Sequence, residues 1–272
     1  MIKPSATAPR SKIEDSGLDK EYIQACGRTW FKFLFERYWR VEARGLEHVP
    51  RAGRGILVGM HRGFMPWDAV MALHLLVQET GRYPRFLTHP GLLKYPLIAN
   101  FITKLGGVLA CQESADRVLE SDELLGVFPE GVEGAFTLYR HAYQLQGFGR
   151  HSFVKMALRH RAPIIPFVTV GSAESLPIFA RIKSRRWTRL TEWPYLPFST
   201  FPLLPAPLPS KWHIRFLPAI HLEEHYAPEA EQQNSLVKTI SLEVRTRMQQ
   251  AVDEMVRSRR SIFFGSIFSS ST

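Results

Sequence analysis

Three apolar runs, Ile56–Met60, Leu124–Val127 and Ala162–Val170, constrain this chain more than anything else in it. Each is too short for a buried helix and is bounded by glycine, proline or charged residues, as buried strands are. The third is rich in β-branched residues, with a proline on either side of Ile164 and Ile165. Between the first two, Trp67 to Gln78 places Val70, Met71, Leu73, Leu75 and Leu76 at helical spacing, and Leu105–Leu109 reads as a compact turn and strand. Strand, helix, strand, helix, strand in this order predicts an α/β fold. It is expected to be a single domain whose mixed, largely parallel sheet is flanked by helices on both faces, with functional residues at strand ends.

At 272 residues and 45% hydrophobic, the chain can bury a sizeable core in one domain with extensions. Residues 1–18 are polar without an apolar leader and read as a disordered tail. Residues 19–40 follow as a helical segment, 41–256 as the main domain and 257–272 as a basic and aromatic tail. No uninterrupted apolar run approaches the ~18–20 residues that a spanning helix needs. Cys26 and Cys111 are too few for a disulfide framework and suit a reducing, cytoplasmic setting. A net charge of +10 calls for an anionic partner, whether nucleic acid, an anionic bilayer or a phosphorylated ligand.

The placement of the charge favours a membrane surface. Glu21 to Arg40 reads as one amphipathic helix, with Asp19 or Ser16 as its cap. Tyr22, Ile23, Cys26, Trp30, Phe33 and Leu34 form its face, and Phe31, Phe35, Tyr38 and Trp39 add a second stripe edged by Arg28, Lys32, Arg37 and Arg40. Such a helix either lies in a bilayer interface or packs its aromatics on the domain's own sheet. A denser basic run, Arg181 to Arg189, leads into a stretch from Trp193 to Pro209 whose six prolines exclude a long regular element. It reads as a lipid-facing flap. Basic and aromatic residues together also suit single-stranded nucleic acid, but no recognised nucleic-acid module accompanies them. Arg257 to Arg260 followed by Ile262 to Phe268 is either a weak interfacial anchor or a frayed tail.

Two blocks carry chemistry. His61 ends the first strand, Pro66 suits the first turn of the following helix, and Asp68 falls in that turn, where exposed N–H groups favour a carboxylate. On one continuous helix, residues seven apart would stand roughly 10 Å apart. A loop from Gly63 to Met65 lets the chain fold back, so that the carboxylate meets the imidazole and a general base results. The second block, Phe128-Pro129-Glu130-Gly131, sets an acid and a glycine just past the second strand. A third motif, His221-Leu222-Glu223-Glu224-His225, spells an inverted metalloprotease signature, but Pro228 leaves too little helix for it and no metal is expected. His141, His151 and His160 lack ligand spacing, and Glu229 to Val256 reads as a structural amphipathic helix.

With these blocks in place, the chain resembles the PlsC-type glycerolipid acyltransferases, also called the lysophospholipid acyltransferase family. His61 and Asp68 match the family's first block, Phe128 to Gly131 its third, and Pro163-Ile164-Ile165-Pro166 its fourth, over roughly residues 40 to 225. The resemblance implies an acyltransferase domain over 41–256. It would transfer a fatty acyl group from acyl-CoA or acyl carrier protein to a lipid hydroxyl at a membrane surface, with no cofactor beyond that thioester. His61 would deprotonate the hydroxyl, Asp68 would hold the imidazole, and Glu130, with Gly131 allowing close approach, would position the acceptor.

The departures from the family pattern bear on the acceptor. Six residues separate His61 from Asp68 where the family usually has four, and the glycine and proline between them look more like the branch near phytyl ester synthases and neutral-lipid acyltransferases. Gln112 and Glu133 stand where the family usually has arginines that hold a phosphate. An uncharged acceptor is therefore expected, with Lys104, Arg117, Arg140 and Lys155 as the cations able to compensate. The alternative is a non-catalytic lipid-binding member of the same fold.

Overall fold

The three apolar runs become neighbouring strands at the centre of one sheet. In a computed structural model that describes residues 17–63, 65–149, 151–200 and 206–268, they are β2 (Gly55–Gly59), β5 (Leu124–Val127) and β6 (Ile164–Val170). β2 lies between the other two and runs parallel to both. Their side chains alternate between two cores. Ile56, Val58, Leu125 and Val168 meet Val118, Phe153 and Val244 from the helices Gln112–Glu120, Ser152–His160 and Asn234–Ser258. Leu57, Leu124, Ile165 and Phe167 meet Met71 and Leu75 of the helix Trp67–Thr80 on the other face. Each such side chain contributes roughly 1.5–3 kcal/mol on burial, so helices on both faces clamp the strands.

β3 (Arg85–Thr88) and β4 (Val108–Leu109) extend the parallel half beyond β5. On the other side β9 (His213–Phe216) runs antiparallel to β6 and carries β1 (Glu42–Arg44) parallel to itself at the edge. The sheet order among the described residues is β1-β9-β6-β2-β5-β3-β4, mixed and mainly parallel as the sequence predicts.

The expected single helix over 21–40 is not formed. Asp19 caps a helix, Lys20–Arg28, by accepting from the Tyr22 N–H at 2.8 Å, and the backbone breaks at Thr29. A short turn, Trp30–Lys32, and a π-helical stretch, Phe33–Tyr38, follow. The break lets the segment wrap the sheet, burying Ile23, Cys26, Phe31 and Trp39 while Trp30 and Phe33 stay in solvent. Trp39 stacks on Trp212 with ring centroids 4.3 Å apart. Phe31 and Trp39 are thus core, and Tyr22, Phe35 and Tyr38 pack against it half-buried. The alternative cap Ser16, the tail over 1–16, the residues Phe201, Pro202 and Pro205 of the proline-rich stretch, and the last four residues lie outside the described residues.

The basic run opens a hairpin. β7 (Ile178–Lys183) pairs antiparallel with β8 (Tyr195–Ser199), and a helix, Arg185–Thr191, bridges them. The segment after the Asn234–Ser258 helix is not frayed through residue 268. Arg259 is buried against Glu174 and the Tyr143 hydroxyl, and the Ile262 carbonyl accepts from the Lys211 N–H. No helix among the described residues is long and apolar enough to cross a membrane.

His213 lies fully buried on β9, under the Phe268 ring and 3.9 Å from Glu42. Burial pushes its imidazole down to about 4, with Lys211 and Arg259 adding to the effect and Glu42 opposing it. Between the ordinary histidine value of 6.5 and that point, the unfolded chain takes a proton that the folded chain refuses. Stability therefore falls as pH is lowered through this window. Urea unfolding at a series of pH values should show a shallower acid loss for His213→Gln than for the wild type.

Candidate active site

The site is assembled where β2 and β5 end side by side. Their register pairs Val58 with Val127, so the loops leaving both strands start at one level. Beyond β2, Gly63 adopts φ +79°, a left-handed conformation that reverses the chain before the Trp67–Thr80 helix. Pro66 is that helix's cap residue rather than its first helical residue. The reversal brings Asp68 back to His61, with Oδ2 3.0 Å from the imidazole Nδ1. The same oxygen accepts from the Arg62 backbone N–H at 2.9 Å. Asp68 is fully buried at the helix N-terminus, where first-turn N–H dipoles favour its charge. With the carboxylate as acceptor, Nδ1 carries the hydrogen, and Nε2, which has no partner among the described residues, keeps its lone pair free.

Phe128 presses on the other side of the imidazole, its ring centroid 5.0 Å away, and stacks on Phe86 behind it. Gly59 makes room for this wall. A Cβ there would meet Phe167 at 2.4 Å and Phe128 at 2.6 Å. Gly131, by contrast, has open space around its Cα, so its glycine serves the +57° φ that turns the chain after Glu130 rather than close approach by protein atoms.

Arg62, absent from the sequence reading, organises the rest. Its guanidinium is buried and donates to the Ala142 carbonyl at 2.5 Å, the His61 carbonyl at 2.6 Å, the Gln144 carbonyl at 3.1 Å and Glu130 Oε1 at 2.8 Å. Glu130 Oε2 accepts from the Gln146 N–H at 2.6 Å. Both carboxylate oxygens of Glu130 are thus engaged within the protein. Through these bonds it locks the His61 loop to the Phe128–Gly131 loop.

A cavity of about 800 Å³ opens in front of His61. The Phe128, Pro129, Glu130 and Gly131 positions all line it, as do Gln112 and Lys155. Ala69, Val70, Leu73, Phe101, Ile102 and Leu105 give it a long apolar wall. Lys155 donates to Asn234 Oδ1 at 3.0 Å. Lys104, Arg117 and Arg140 are not brought to the cavity. Lys104 lies over the Tyr22 ring, Arg117 pairs with Glu113, and Arg140 donates to His141. Arg159 does line the cavity, but it is paired with Glu231 and Asp116. Cys111 also lines it, its Sγ accepting from the Ser114 N–H at the start of the Gln112–Glu120 helix.

Glu133 reaches the same wall and is held by the hairpin, with Arg181 Nη1 at 2.8 Å and the Tyr195 hydroxyl at 2.6 Å. Burial alone would raise its pKa, but these two donors, with Lys183 nearby, keep it below the usual carboxylate range. Of the other histidines, His151 bonds Ser241, His160 bonds Asp116, and His141 bonds Gln144. The His221–His225 segment is a 3₁₀ turn, Leu222–Glu224, which does not set its two histidines on one helical face. No cluster of three or more metal-ligating side chains forms among the described residues.

Known proteins add the wider frame. The acyltransferase family profile matches residues 40–170. An uncharacterized protein of Mycobacterium tuberculosis is 34% identical over 262 residues, covering 93% of this chain and 72% of that protein. One from Mycobacterium leprae is 35% identical over 261 residues, covering 93% and 70%. In fold, the chain is similar to the crystal structure of the 1-acyl-sn-glycerophosphate acyltransferase PlsC from Thermotoga maritima. The TM-score is 0.57 at 20% identity, over 89% of this chain and 80% of that one.

Breaking a buried ion pair from one side typically costs about 3–5 kcal/mol, because the surviving charge is left without a partner. Arg62→Met and Glu130→Met should each lower the unfolding free energy by roughly that amount. The double variant should lose clearly less than the sum. An additive result in urea unfolding would show that the two side chains do not depend on each other.

Proposed function

The chain belongs to the acyltransferase family, and we propose that it is a membrane-surface O-acyltransferase that moves a fatty acyl group from a thioester to a lipid hydroxyl. The observation that carries this reading is the His61–Asp68 pair set at the wall of a long apolar cavity. A hydroxyl bound there gives its proton to His61 Nε2 as its oxygen attacks the thioester carbonyl. The tetrahedral intermediate collapses with cleavage of the C–S bond, and the departing thiolate takes the proton back from His61. One ester and one thiol result, with no acyl-enzyme between. Asp68 holds the imidazole tautomer and stabilises the imidazolium, as a carboxylate does in any such pair. Arg62 and Glu130 act as positioning residues. The thioester is acyl-CoA or acyl carrier protein, and the enzyme works as a peripheral protein on the cytoplasmic side of a bilayer.

The acceptor in this reading is uncharged. Gln112 and Glu133 line the cavity in place of cations that could hold a phosphate, and a phosphate beside the Glu133 carboxylate would meet a like charge. A mono- or diacylglycerol, or another long-chain alcohol, avoids that repulsion.

Incubating the protein with labelled acyl thioesters and a panel of neutral and phosphorylated acceptors tests both parts. His61→Ala should lower turnover by about 10²–10⁴-fold, and Asp68→Asn should also remove most of it, with the fold intact in each case. Wild-type turnover in His61→Ala would overturn the mechanism. Vesicle binding without transfer to any acceptor would favour the lipid-binding alternative.

Selectivity is tested separately. Because Glu133 is paired with Arg181, its charge is best reversed together with its partner. Glu133→Arg/Arg181→Glu combined with Gln112→Arg should shift preference toward lysophosphatidic acid, read as the ratio of kcat/KM values. A native enzyme that uses lysophosphatidic acid best would refute the neutral-acceptor reading.

A further inference from the structure

We propose that the outer face of the β7–β8 hairpin, with the arginines of its bridging helix, is the surface by which this protein docks on an anionic lipid bilayer. The inference rests on the membrane-surface reading above and names the element responsible.

The hairpin has two chemically different sides. Arg181 and Lys183 lie over the Tyr195 ring at 4.4 and 5.8 Å, and Arg181 pairs with Glu133. Ile178 and Tyr195 join Ala135 and Phe136 in a small core, so this side is fastened to the loop after Glu130. In the register, Ala180 faces Phe198 and Ile182 faces Leu196, which puts these four on the opposite side. There the apolar side chains meet solvent, with Phe198 63% exposed and Ile182 55%. A two-stranded ribbon is marginal on its own, and a fastened one that turns large apolar residues outward marks an interaction surface.

Charge selects the partner. The bridging helix, capped by Ser184, carries Arg185, Arg186 and Arg189, all exposed and without an ion pair to any described residue. Leu190 beside them is 69% exposed. Lys94 reaches the Leu190 carbonyl and pairs with Glu192, bringing the helix Pro96–Lys104, with Leu97 exposed near its start, up to this edge. Exposed aromatic and aliphatic residues flanked by unpaired cations suit insertion at the headgroup boundary of anionic lipids. The outer face is a ribbon of side chains rather than a groove, which fits a planar bilayer better than a folded protein. Trp187 of the bridging helix packs on Trp193, and Trp193 lines the cavity, so a hairpin seated on lipid holds that cavity at the bilayer.

Co-sedimentation of the whole protein with phosphatidylcholine vesicles, with and without phosphatidylglycerol, provides the test. Two triple variants are compared with the wild type, Ile182→Ser/Leu196→Thr/Phe198→Ser and Arg185→Gln/Arg186→Gln/Arg189→Gln. Their thermal unfolding midpoints serve as the control for folding. The arginine set should lose about fivefold in partitioning for each cation removed, only on the anionic vesicles. The apolar set should lose at least about tenfold. Wild-type binding retained by both sets, or lost instead in Phe263→Ser/Phe264→Ser, overturns the hairpin assignment and leaves the membrane reading standing. Wild-type protein that binds neither kind of vesicle overturns both. If the arginine set keeps vesicle binding but loses an acidic acyl carrier protein, the surface belongs to that protein instead.

Discussion

Arg62 carries a full charge into a place that solvent does not reach, and the fold around it is arranged to answer that charge. Its donors meet three carbonyls and one carboxylate drawn from three separate loops. A planar guanidinium with donors fixed in a fork can do this, whereas an ammonium on a flexible stem could not hold the same directions. The cost of burial is offset only while every partner stays in position, so the loops that carry His61, Glu130 and Gln144 are set relative to one another by a single side chain. The positions of Nε2 and of the cavity wall follow from that.

The sheet makes this arrangement available. Parallel neighbours release their loops at the same edge, and the pairing of Val58 with Val127 brings the residues four and three positions onward into contact. The Trp67–Thr80 helix then supplies Asp68 from one face of the sheet, while the Ser152–His160 helix brings Lys155 to the cavity from the other. The apolar wall belongs to the helices that cover the parallel half, so the same side chains that stabilise the fold give the cavity its greasy lining.

Much of this was legible in the residues. The strand runs could be read because burial on both faces leaves continuous apolar stretches, and the reversal between His61 and Asp68 could be read because glycine and proline punctuate it. Gln112, Lys155 and the Phe128–Gly131 block do meet His61 in one cavity. Other features were hidden for definite reasons. Helical periodicity in 21–40 is nearly continuous, and the break at Thr29 is announced only by Gly27 two positions before it, a weak signal inside a strong pattern. Arg62 reads as one more cation in a basic chain, because its partners other than the His61 carbonyl lie 68 to 82 residues away. The pairing of Glu130 with Arg62 is equally hidden, because an acid after a strand carries no sign of the buried arginine opposite. The packing of Arg259 on Glu174 was invisible for the same reason.

The stack of Trp39 on Trp212 joins positions far apart along the chain, and the Trp39 indole N–H also reaches the Leu208 carbonyl, 169 residues onward. Among the described residues β1 pairs with β9 alone, which comes equally late. During synthesis on a ribosome, Trp39 must therefore wait for its stacking partner until residue 212 has emerged. At about 5–20 residues per second, that interval lasts on the order of ten seconds or longer. The chain that ends as a tightly clasped sheet edge spends its nascent life with the Trp39 indole lacking the partners that the edge will give it.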